Sequence, residues 1–273
     1  MGKKKKTAEP LEAVREIFKK GNVVCLTGAG ISYESGIPTF RGKGGLWETY
    51  DPEVYGNMPG LISVFRNDPE KFVAFVNDFY SVLLKAKPNR AHVALAYLEK
   101  SGLVKAVITQ NIDNLHQRCG TRNVIELHGN AFRVRCEKCG AALILEADRV
   151  REMLSLLQRQ RDSSVALRRI FSRYCPRCAG CSGRFRIDIV LFGEMLPEQA
   201  MQKSFELIDT CRTLVVVGSS LVVYPAASLP QYAKERGVRL IEINPEPSAL
   251  SDLSDYKLIG SAADILPELV RTL

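Results

Sequence analysis

The sequence contains no long apolar run and few histidines. No apolar segment in its 273 residues reaches the roughly 18–20 residues that a membrane-spanning helix needs, and no apolar signal-peptide core follows the first methionine. We therefore expect a soluble, cytoplasmic protein without a membrane partner. Only three histidines are present, so few residues are candidates for an imidazole general base.

Internal repeats are also absent, and the four lysines at residues 3–6 form the only low-complexity segment. Those lysines supply half of the formal net charge of +8. The remaining basic bias weakly favours acidic partners, such as chromatin or nucleic-acid-associated proteins, although a solvated surface explains it more simply. The length and the balance of apolar and charged residues suit one large globular domain or a domain with an inserted module.

One glycine of the dinucleotide-binding fingerprint is missing. The apolar run of residues 23–27 breaks at Gly28 and Gly30, but Tyr33 stands where G-x-G-x-x-G requires a third glycine. The two glycines still let a ligand approach the backbone, and the N–H groups of the turn and of a following helix can bind a pyrophosphate. A tight turn without a ligand explains the two glycines about equally well.

The segment after this turn is rich in glycine and proline but also carries large side chains. Residues 36–45 have the sequence GIPTFRGKGG, and Phe40, Arg41 and the nearby Trp47 indicate a loop over a ligand. The stretch GAGISYESGIPTFR at residues 28–41 resembles the first motif of the sirtuins, GAGxSxxSGIPxFR. Sirtuins are NAD-dependent protein lysine deacylases, and later motifs extend the resemblance over nearly the whole chain.

Short apolar strands that alternate with helices predict an α/β fold with a doubly wound parallel sheet. Further strands are predicted at residues 104–109, 124–130, 187–192, 213–217 and 238–243. Helices are predicted at residues 11–20, 92–100 and 226–236. An aromatic helical pattern broken by prolines, over residues 46–84, indicates a helical insertion.

The resemblance to sirtuins implies two lobes with a cleft between them. A Rossmann-like NAD-binding domain would comprise residues 1–42, 89–132 and 187–273. The smaller domain would combine a helical insertion, residues 43–88, with a zinc-binding insertion, residues 133–186.

Polar side chains follow the strand predicted at residues 104–109. They are Gln110, Asn111 and Asp113, and ligands bind at the carboxyl ends of the strands in open parallel sheets. A helix N-cap by Asn111 or Asp113 is the alternative, and it needs no ligand.

His128 lies at the end of another short apolar strand, in the segment ELHGN. With an ordinary pKa of about 6.5, an imidazole there can take up a proton at neutral pH. A structural histidine fits the same pattern at least as well. ELHGN resembles the sirtuin segment that carries the catalytic base, so the resemblance favours His128 over His92 and His116 as that base.

The resemblance also assigns contacts to the co-substrate NAD. Asn111 would hold the region of the ribose and the reactive water, and Asp113 would hold the nicotinamide amide. The other NAD contacts that the resemblance implies are Gly28, Ala29, Gly30, Ser32, Glu34, Ser35, Pro38, Thr39, Phe40, Arg41, Trp47, Gln110, Ile112, Gly218, Ser219, Ser220, Asn244, Pro245, Glu246 and Ala262.

Residues 190–194 are the expected contacts for the acylated-lysine protein or peptide. By resemblance, the extended substrate backbone would pair with this segment as an added strand. Val190 and Phe192 would line the acyl-lysine tunnel, and Gly193 and Glu194 would complete the substrate contacts.

Eight cysteines in a cytosolic-looking chain indicate metal ligands or buried thiols rather than disulfides. Cys136 and Cys139 form one C-x-x-C pair, and the second pair is either Cys175 with Cys178 or Cys178 with Cys181. The spacing usual in sirtuins favours Cys178 and Cys181. A closed site of four thiolates would hold one structural zinc ion, because it leaves no coordination position open for chemistry.

The chain between the two cysteine pairs is longer than we expect for a sirtuin. Val150, Met153, Leu154 and Leu157 recur there at helical spacing, so we predict a helix. Its many arginines most simply face solvent.

The activity that the resemblance implies is NAD-dependent removal of an acyl group from lysine, with nicotinamide, O-acyl-ADP-ribose and deacylated lysine as products. Two alternatives use the same residues. One is a mono-ADP-ribosyltransferase, and the other is a non-catalytic NAD-binding sensor with a structural zinc.

One residue pair found in desuccinylating and demalonylating sirtuins is missing. Those enzymes carry Tyr-x-x-Arg on the helical insertion, and an ungapped count back from residues 88–89 places Val76 and Phe79 there. Neither side chain can pair with a carboxylate, and burying an unpaired carboxylate is costly. Thr39 argues the other way, because some desuccinylases have Thr at that position. We weigh the missing cation more heavily and expect acetyl-lysine to be preferred over succinyl-lysine.

Overall fold

The computed structural model describes residues 8–39 and 45–271. Over these ranges the chain forms nine β-strands, twelve α-helices and three short 3-10 helices. The lysines at residues 3–6 and two predicted NAD contacts, Phe40 and Arg41, lie outside the described residues. None of the helices described is both long and apolar enough to cross a membrane.

Strands and helices alternate along much of the chain. The strands are β1 (Val23–Thr27), β2 (Val104–Thr109), β3 (Val124–Glu126), β4 (Gly129–Cys136), β5 (Ala142–Ile144), β6 (Phe185–Ile189), β7 (Thr213–Val217), β8 (Arg239–Asn244) and β9 (Tyr256–Ile259). The α-helices are α1 (Ala8–Lys19), α2 (Leu46–Thr49), α3 (Pro52–Tyr55), α4 (Met58–Asn67), α5 (Pro69–Lys85), α6 (Arg90–Lys100), α7 (Leu115–Arg118), α8 (Ala147–Arg159), α9 (Ser164–Tyr174), α10 (Glu198–Thr210), α11 (Leu229–Glu235) and α12 (Ala262–Val270). The 3-10 helices cover Ala29–Ser35, Ala226–Ser228 and Ser251–Leu253.

Six parallel strands form the main sheet, in the order β3-β2-β1-β7-β8-β9. From β1 the chain continues to β2 and β3 on one side, and β7 to β9 follow on the other side. The strand order therefore reverses between β1 and β7, which is the point where doubly wound sheets bind their ligands. The predicted α/β fold is confirmed.

Both faces of this sheet are covered by apolar side chains. Val23 and Cys25 of β1 point to one face, where α1, α6 and α12 supply residues such as Phe18 and Leu95. Val24 of β1 points to the opposite face, with residues of α10 and α11. Every residue of β1 and β7 is buried, as expected for parallel strands between two helical layers.

A second, three-stranded antiparallel sheet has the order β5-β4-β6. It shares an apolar cluster with α5, α8 and α9, and the cluster includes the four residues on which the helix in the zinc insertion was predicted: Val150, Met153, Leu154 and Leu157. That helix is therefore confirmed as α8. We propose that this cluster is the core of the small domain, with the boundaries predicted above.

Two predicted strands differ by several residues from the observed ones, and the strand predicted at residues 238–243 is shifted by one residue, to Arg239–Asn244. The strand expected at residues 187–192 ends at Ile189, because the Glu194 carboxylate accepts a hydrogen bond from Leu191 N–H at 3.0 Å and the chain turns there. The strand expected at residues 124–130 is divided into β3 and β4, with His128 between them. The helix expected to follow the glycine turn is a 3-10 helix, Ala29–Ser35.

Three glycines pack backbone against backbone where β1 and β7 end. Gly30 N–H donates to Gly218 O at 2.8 Å, and a Cβ added to Gly28 would lie 2.7 Å from the same oxygen. Gly218 has φ +61, and a Cβ added there would lie 2.3 Å from the backbone nitrogen of Ile31. The glycines are thus needed for contact between two turns of the protein, which is a second reason for them besides ligand access.

We predict that Gly218→Ala destabilises the protein more than Gly102→Ala does. Gly102 also has a positive φ of +75, but a Cβ added there meets nothing within 4 Å. In the control variant, Gly102→Ala, the free energy of unfolding should therefore fall only by the cost of a left-handed backbone, about 1–2 kcal/mol. Gly218→Ala adds a backbone collision to that cost. Urea unfolding of both variants measures the difference. Equal losses would show that the two turns separate easily.

Candidate active site

Four strands end at one edge of the main sheet and continue into the predicted ligand-binding turns. The ladder of hydrogen bonds extends past the strand ends, since Gly28 N–H donates to Val217 O at 3.0 Å and Gln110 N–H donates to Thr27 O at 2.9 Å. Gly218 N–H donates to Ile243 O at 3.0 Å in the same way. The turns after β1, β2, β7 and β8 are therefore fixed relative to one another.

Ser32, Asn111 and Asp113 form a buried cluster at this edge. The Ser32 hydroxyl donates to Asp113 Oδ2 at 2.7 Å, and Asn111 Nδ2 donates to Ser32 Oγ and to Gly28 O, both at 3.1 Å. Asn111 and Asp113 are 8% and 4% exposed. The cluster links the glycine turn to the segment after β2, two motifs about 80 residues apart.

Asp113 also binds the first N–H of the short helix α7, although the N-cap residue of that helix is Asn114 and not, as the alternative interpretation had it, Asn111 or Asp113. Its Oδ1 accepts a hydrogen bond from Leu115 N–H at 2.9 Å. Burial raises the pKa of Asp113, although its hydrogen bonds from Leu115 N–H and the Ser32 hydroxyl oppose that shift. The hydrogen bond to Leu115 N–H therefore fixes the side chain, and the same carboxyl group remains part of the polar cluster.

His128 lies between β3 and β4 with its imidazole partly exposed. Its Nδ1 lies 3.0 Å from Gln110 O, and because a carbonyl oxygen can only accept, Nδ1 carries the proton. The other ring nitrogen, Nε2, is then an unprotonated base. Burial lowers the pKa of His128, although the hydrogen bond to the Gln110 carbonyl opposes that shift, so the imidazole is neutral at pH 7.

The other two histidines are buried behind the site and pack together with ring centroids 4.9 Å apart. His116 Nε2 lies 3.0 Å from Thr27 Oγ1, and His92 Nδ1 accepts a hydrogen bond from Asn89 N–H at 3.3 Å. Burial lowers their pKa values, to about 3 for His116 and about 4 for His92. Both are neutral core residues, which leaves His128 as the accessible imidazole.

The turns after β7 and β8 are joined to the turn after β2. Gln110 Nε2 donates to Ser219 Oγ at 2.9 Å, and Asn244 Nδ2 donates to Ser219 O at 2.9 Å. Glu242, which the sequence interpretation missed, lies beneath them with 1% exposure. Its Oε1 accepts hydrogen bonds from Asn244 Nδ2 at 2.9 Å and Ser248 N–H at 2.7 Å. A glutamate within the apolar run of β8 was the signal that could have found it.

The remaining predicted NAD contacts lie around this edge but make fewer contacts. Ser35 Oγ accepts a hydrogen bond from Asn89 Nδ2 at 3.1 Å, Ile112 is buried, and Ala262 is the buried first residue of α12. Partly buried members are Ala29, Pro38, Thr39 and Trp47. Exposed members are Glu34, Ser220, Pro245 and Glu246.

The predicted substrate segment is held against both the base and the helical insertion. Val190 N–H donates to His128 O at 3.0 Å, and Phe192 N–H donates to Gly56 O at 2.8 Å. The Phe192 ring is 45% exposed and lies 6.0 Å from the Trp47 ring. Because these two N–H groups already have partners in the protein, they are not free to pair with an added strand.

The side chain of Glu194 stabilises the turn in this segment. Its carboxylate forms a two-contact ion pair with Arg186, at 2.6 and 2.7 Å, and also accepts the Leu191 N–H. Gly193 has φ +83 in the same turn. A direct substrate contact by Gly193 or Glu194 stays a prediction.

The structure brings together the four cysteines predicted as metal ligands. The sulfur atoms of Cys136, Cys139, Cys178 and Cys181 all lie within 4.8 Å of one another, with pairs at 3.5 and 3.6 Å. A tetrahedral zinc site with Zn–S bonds of about 2.3 Å places its sulfurs about 3.8 Å apart, so the four thiols fit zinc. Cys175 lies outside this group, and burial raises the pKa of its thiol to about 11.

A family model described as the Sir2 family matches residues 28–225 of the sequence. The chain belongs to the Sir2 family. An NAD-dependent protein deacylase of Pyrococcus furiosus is 44% identical over 95% of this chain and 96% of its own length.

Solved Sir2 structures share the fold as well. A complex of a Sir2 homologue with NAD is 38% identical, with a TM-score of 0.74 and coverage of 96% of this chain and 93% of that one. A Sir2 protein with a deacetylated p53 peptide and 3'-O-acetyl ADP-ribose is 35% identical, with a TM-score of 0.74 and coverage of 96% and 98%.

We predict that Cys181→Ser loses the metal and Cys175→Ser keeps it. Metal analysis of the purified wild-type chain should give about one zinc per molecule, by the four-ligand rule. Because ligation energy at such a site is folding energy, Cys181→Ser should also unfold at lower temperature. Zinc retained in Cys181→Ser but lost in Cys175→Ser would move the second pair to Cys175 and Cys178.

Proposed function

We propose that this chain is an NAD-dependent protein lysine deacylase that forms nicotinamide, O-acyl-ADP-ribose and deacylated lysine. The observation that carries the proposal is His128, whose Nδ1–H is fixed on the Gln110 carbonyl so that Nε2 is free to accept a proton. The membership in the Sir2 family and the relatives named NAD-dependent protein deacylase support it.

The residues at the sheet edge fit NAD as the co-substrate. Gly28, Gly30 and Gly218 keep side chains away from the turns after β1 and β7, and Asn111 and Asp113 place amide and carboxyl groups beside them. When bound, NAD supplies the ribose carbon that accepts the acyl oxygen as nicotinamide leaves. Asn111 would orient the ribose and Asp113 the nicotinamide amide.

His128 acts as the general base in this proposal. Its Nε2 takes a proton from a ribose hydroxyl, and the hydrogen bond from Nδ1–H to Gln110 O stabilises the imidazolium that forms. The burial that lowers its pKa keeps the imidazole unprotonated before the step. The zinc, bound by Cys136, Cys139, Cys178 and Cys181, takes no part in the chemistry and stabilises the small domain.

Acylated-lysine proteins or peptides are the substrates, consistent with the p53 peptide bound to a related Sir2 protein. Chromatin-associated targets and a cytoplasmic location remain predictions from the sequence. Incubating the purified chain with NAD and an acetyl-lysine peptide, followed by mass spectrometry of nicotinamide and peptide, tests the proposal directly. The absence of both products from a zinc-loaded, folded sample would refute it.

We predict that His128→Ala lowers product formation by roughly 10²–10⁴-fold, the range typical for loss of a general base. NAD binding should persist, because His128 makes no phosphate contact in this proposal. The wild-type kcat/KM should fall with decreasing pH only below about 6.5, since burial lowers the pKa of His128 from that ordinary value. Deacylation by His128→Ala near the wild-type rate would contradict the assignment.

We also predict that acetyl-lysine is used in preference to succinyl-lysine. Val76 is buried and Phe79 stacks on Phe75 at 6.2 Å, so the positions of the missing Tyr-x-x-Arg pair are apolar. Comparing kcat/KM on matched acetyl and succinyl peptides measures the preference. A succinyl preference would mean that another cation, such as Arg66 or Arg90, reaches the pocket.

A further inference from the structure

The segment that carries His128 crosses from the six-stranded sheet to the three-stranded sheet. β3 ends at Glu126 and β4 begins at Gly129. Gly129 has φ +79, and a Cβ added there would lie 2.0 Å from Asp188 O on β6. The backbone next to His128 therefore rests directly on β6, and the position of β6 bears on the position of the base.

Two carboxylates lie on either side of this crossing. Glu126 belongs to the six-stranded sheet and Asp188 to the three-stranded sheet, and both side chains are only 9% exposed. Arg133 on β4 binds both of them. Its Nη1 lies 2.7 Å from Glu126 Oε2, and its Nε donates to Asp188 Oδ2.

Glu126 also binds residues that lie close to His128. Its Oε1 accepts hydrogen bonds from Asn130 Nδ2 and from Gln117 Nε2, both at 2.6 Å. Asn130 Nδ2 also donates to Asn114 Oδ1 at 3.0 Å. Glu126 and Asn130 each stand two positions from His128, so one ionic cluster fixes the chain on both sides of the base.

We propose that Arg133 is a positioning residue for His128. By holding Glu126 and Asp188 together, it fixes the crossing at the place where His128 Nδ1–H can donate to Gln110 O. Without the guanidinium, Asp188 keeps its ion pair with Arg135, but the poorly solvated Glu126 carboxylate loses the cation that ties it to Asp188, and burial of an uncompensated charge is costly. The crossing then shifts, and the hydrogen bond that sets the tautomer of His128 weakens. The inference rests on the proposed function in so far as His128 is the base.

Arg135 provides a matched control within the same strand. It donates to Asp188 Oδ1 at 2.9 Å and to Asp188 Oδ2 at 3.0 Å, and its other hydrogen bond in the described structure goes to Gly140 O. It thus shares the Asp188 partner of Arg133 but does not bridge to Glu126. Arg135→Gln removes one cation from Asp188 and leaves the bridge intact.

The test compares Arg133→Gln and Arg135→Gln in the full-length, zinc-loaded chain. We expect Arg133→Gln to lower kcat on an acetyl-lysine peptide on the order of 10- to 100-fold, as for misplacement of a catalytic group by about 1 Å. KM for NAD should remain within about twofold, because the side-chain partners of Arg133 are Glu126 and Asp188 and not the predicted NAD contacts. Arg135→Gln should change neither constant by more than about twofold.

Nitrogen-15 NMR of the imidazoles gives a readout that does not depend on turnover. With three histidines in the chain, the His128 signals can be assigned by comparison with His128→Ala. We expect one tautomer, with the proton on Nδ1, in the wild type and in Arg135→Gln. Arg133→Gln should show a mixture of tautomers and a pKa further below the ordinary value, because the hydrogen bond to Gln110 O that opposes the lowering is weakened.

The proposal is overturned if both variants lower kcat equally, or if the His128 tautomer is unchanged in Arg133→Gln. If Arg133→Gln does not fold, Arg133→Lys replaces it, because lysine keeps the charge but lacks the fork that reaches two carboxylates. Metal analysis of each variant checks that the cysteine cluster is intact. A wild type without deacylation would refute the proposed function, and the NMR comparison would still decide the role of Arg133.

Discussion

The site depends on the parallel register of the three central strands. Leu26 of β1 lies beside Ile108 of β2 and Val216 of β7, so all three strands end at the same level. A slip of one residue would turn the buried face of a strand towards the opposite layer and would separate the turns that follow. This register is why motifs that are far apart in the sequence meet at one edge of the sheet.

The polar groups at that edge are buried, and their hydrogen bonds offset the free-energy cost of that burial. A carboxyl group such as that of Asp113 costs several kcal/mol to bury without partners, but it receives hydrogen bonds from Ser32 and Leu115. Glu242 holds Asn244 in the same manner. The site is therefore a network whose members fix one another, and its geometry does not rest on single long side chains.

The sequence predicted the parts of the structure that depend on local pattern. The strands at residues 104–109 and 213–217 have the predicted limits, because each is an apolar, mostly β-branched run that ends at a polar residue or glycine. β9 was missed because an edge strand of four residues, only one of them buried, carries little pattern. β6 ends early through the Glu194 carboxylate, and no local signal announces that contact.

In the candidate site, too, some features could be predicted from the sequence and others could not. The resemblance of short motifs to those of sirtuins named Asn111, Asp113 and His128, and the structure places Asn111 and Asp113 in one cluster, with the His128 ring held on Gln110. The role of Arg133 could not be predicted, because its partner Asp188 is 55 positions away. The role of Glu242 could not be predicted either, because it depends on the way the turn after β8 brings Ser248 N–H back to the carboxylate. A charged residue within an apolar strand indicates that a partner binds the charge, but it does not indicate which residue that partner is.

The contact among Gly28, Gly30 and Gly218 has a consequence for the thermodynamics of NAD binding. The turn after β1 is held by the turn after β7 through protein contacts, so its conformation is set when the chain folds. Ordering a flexible loop around a ligand reduces the affinity, because conformational entropy is lost at the moment of binding. Here that entropy has already been lost on folding, so the turn that we propose binds NAD is preorganised for its ligand.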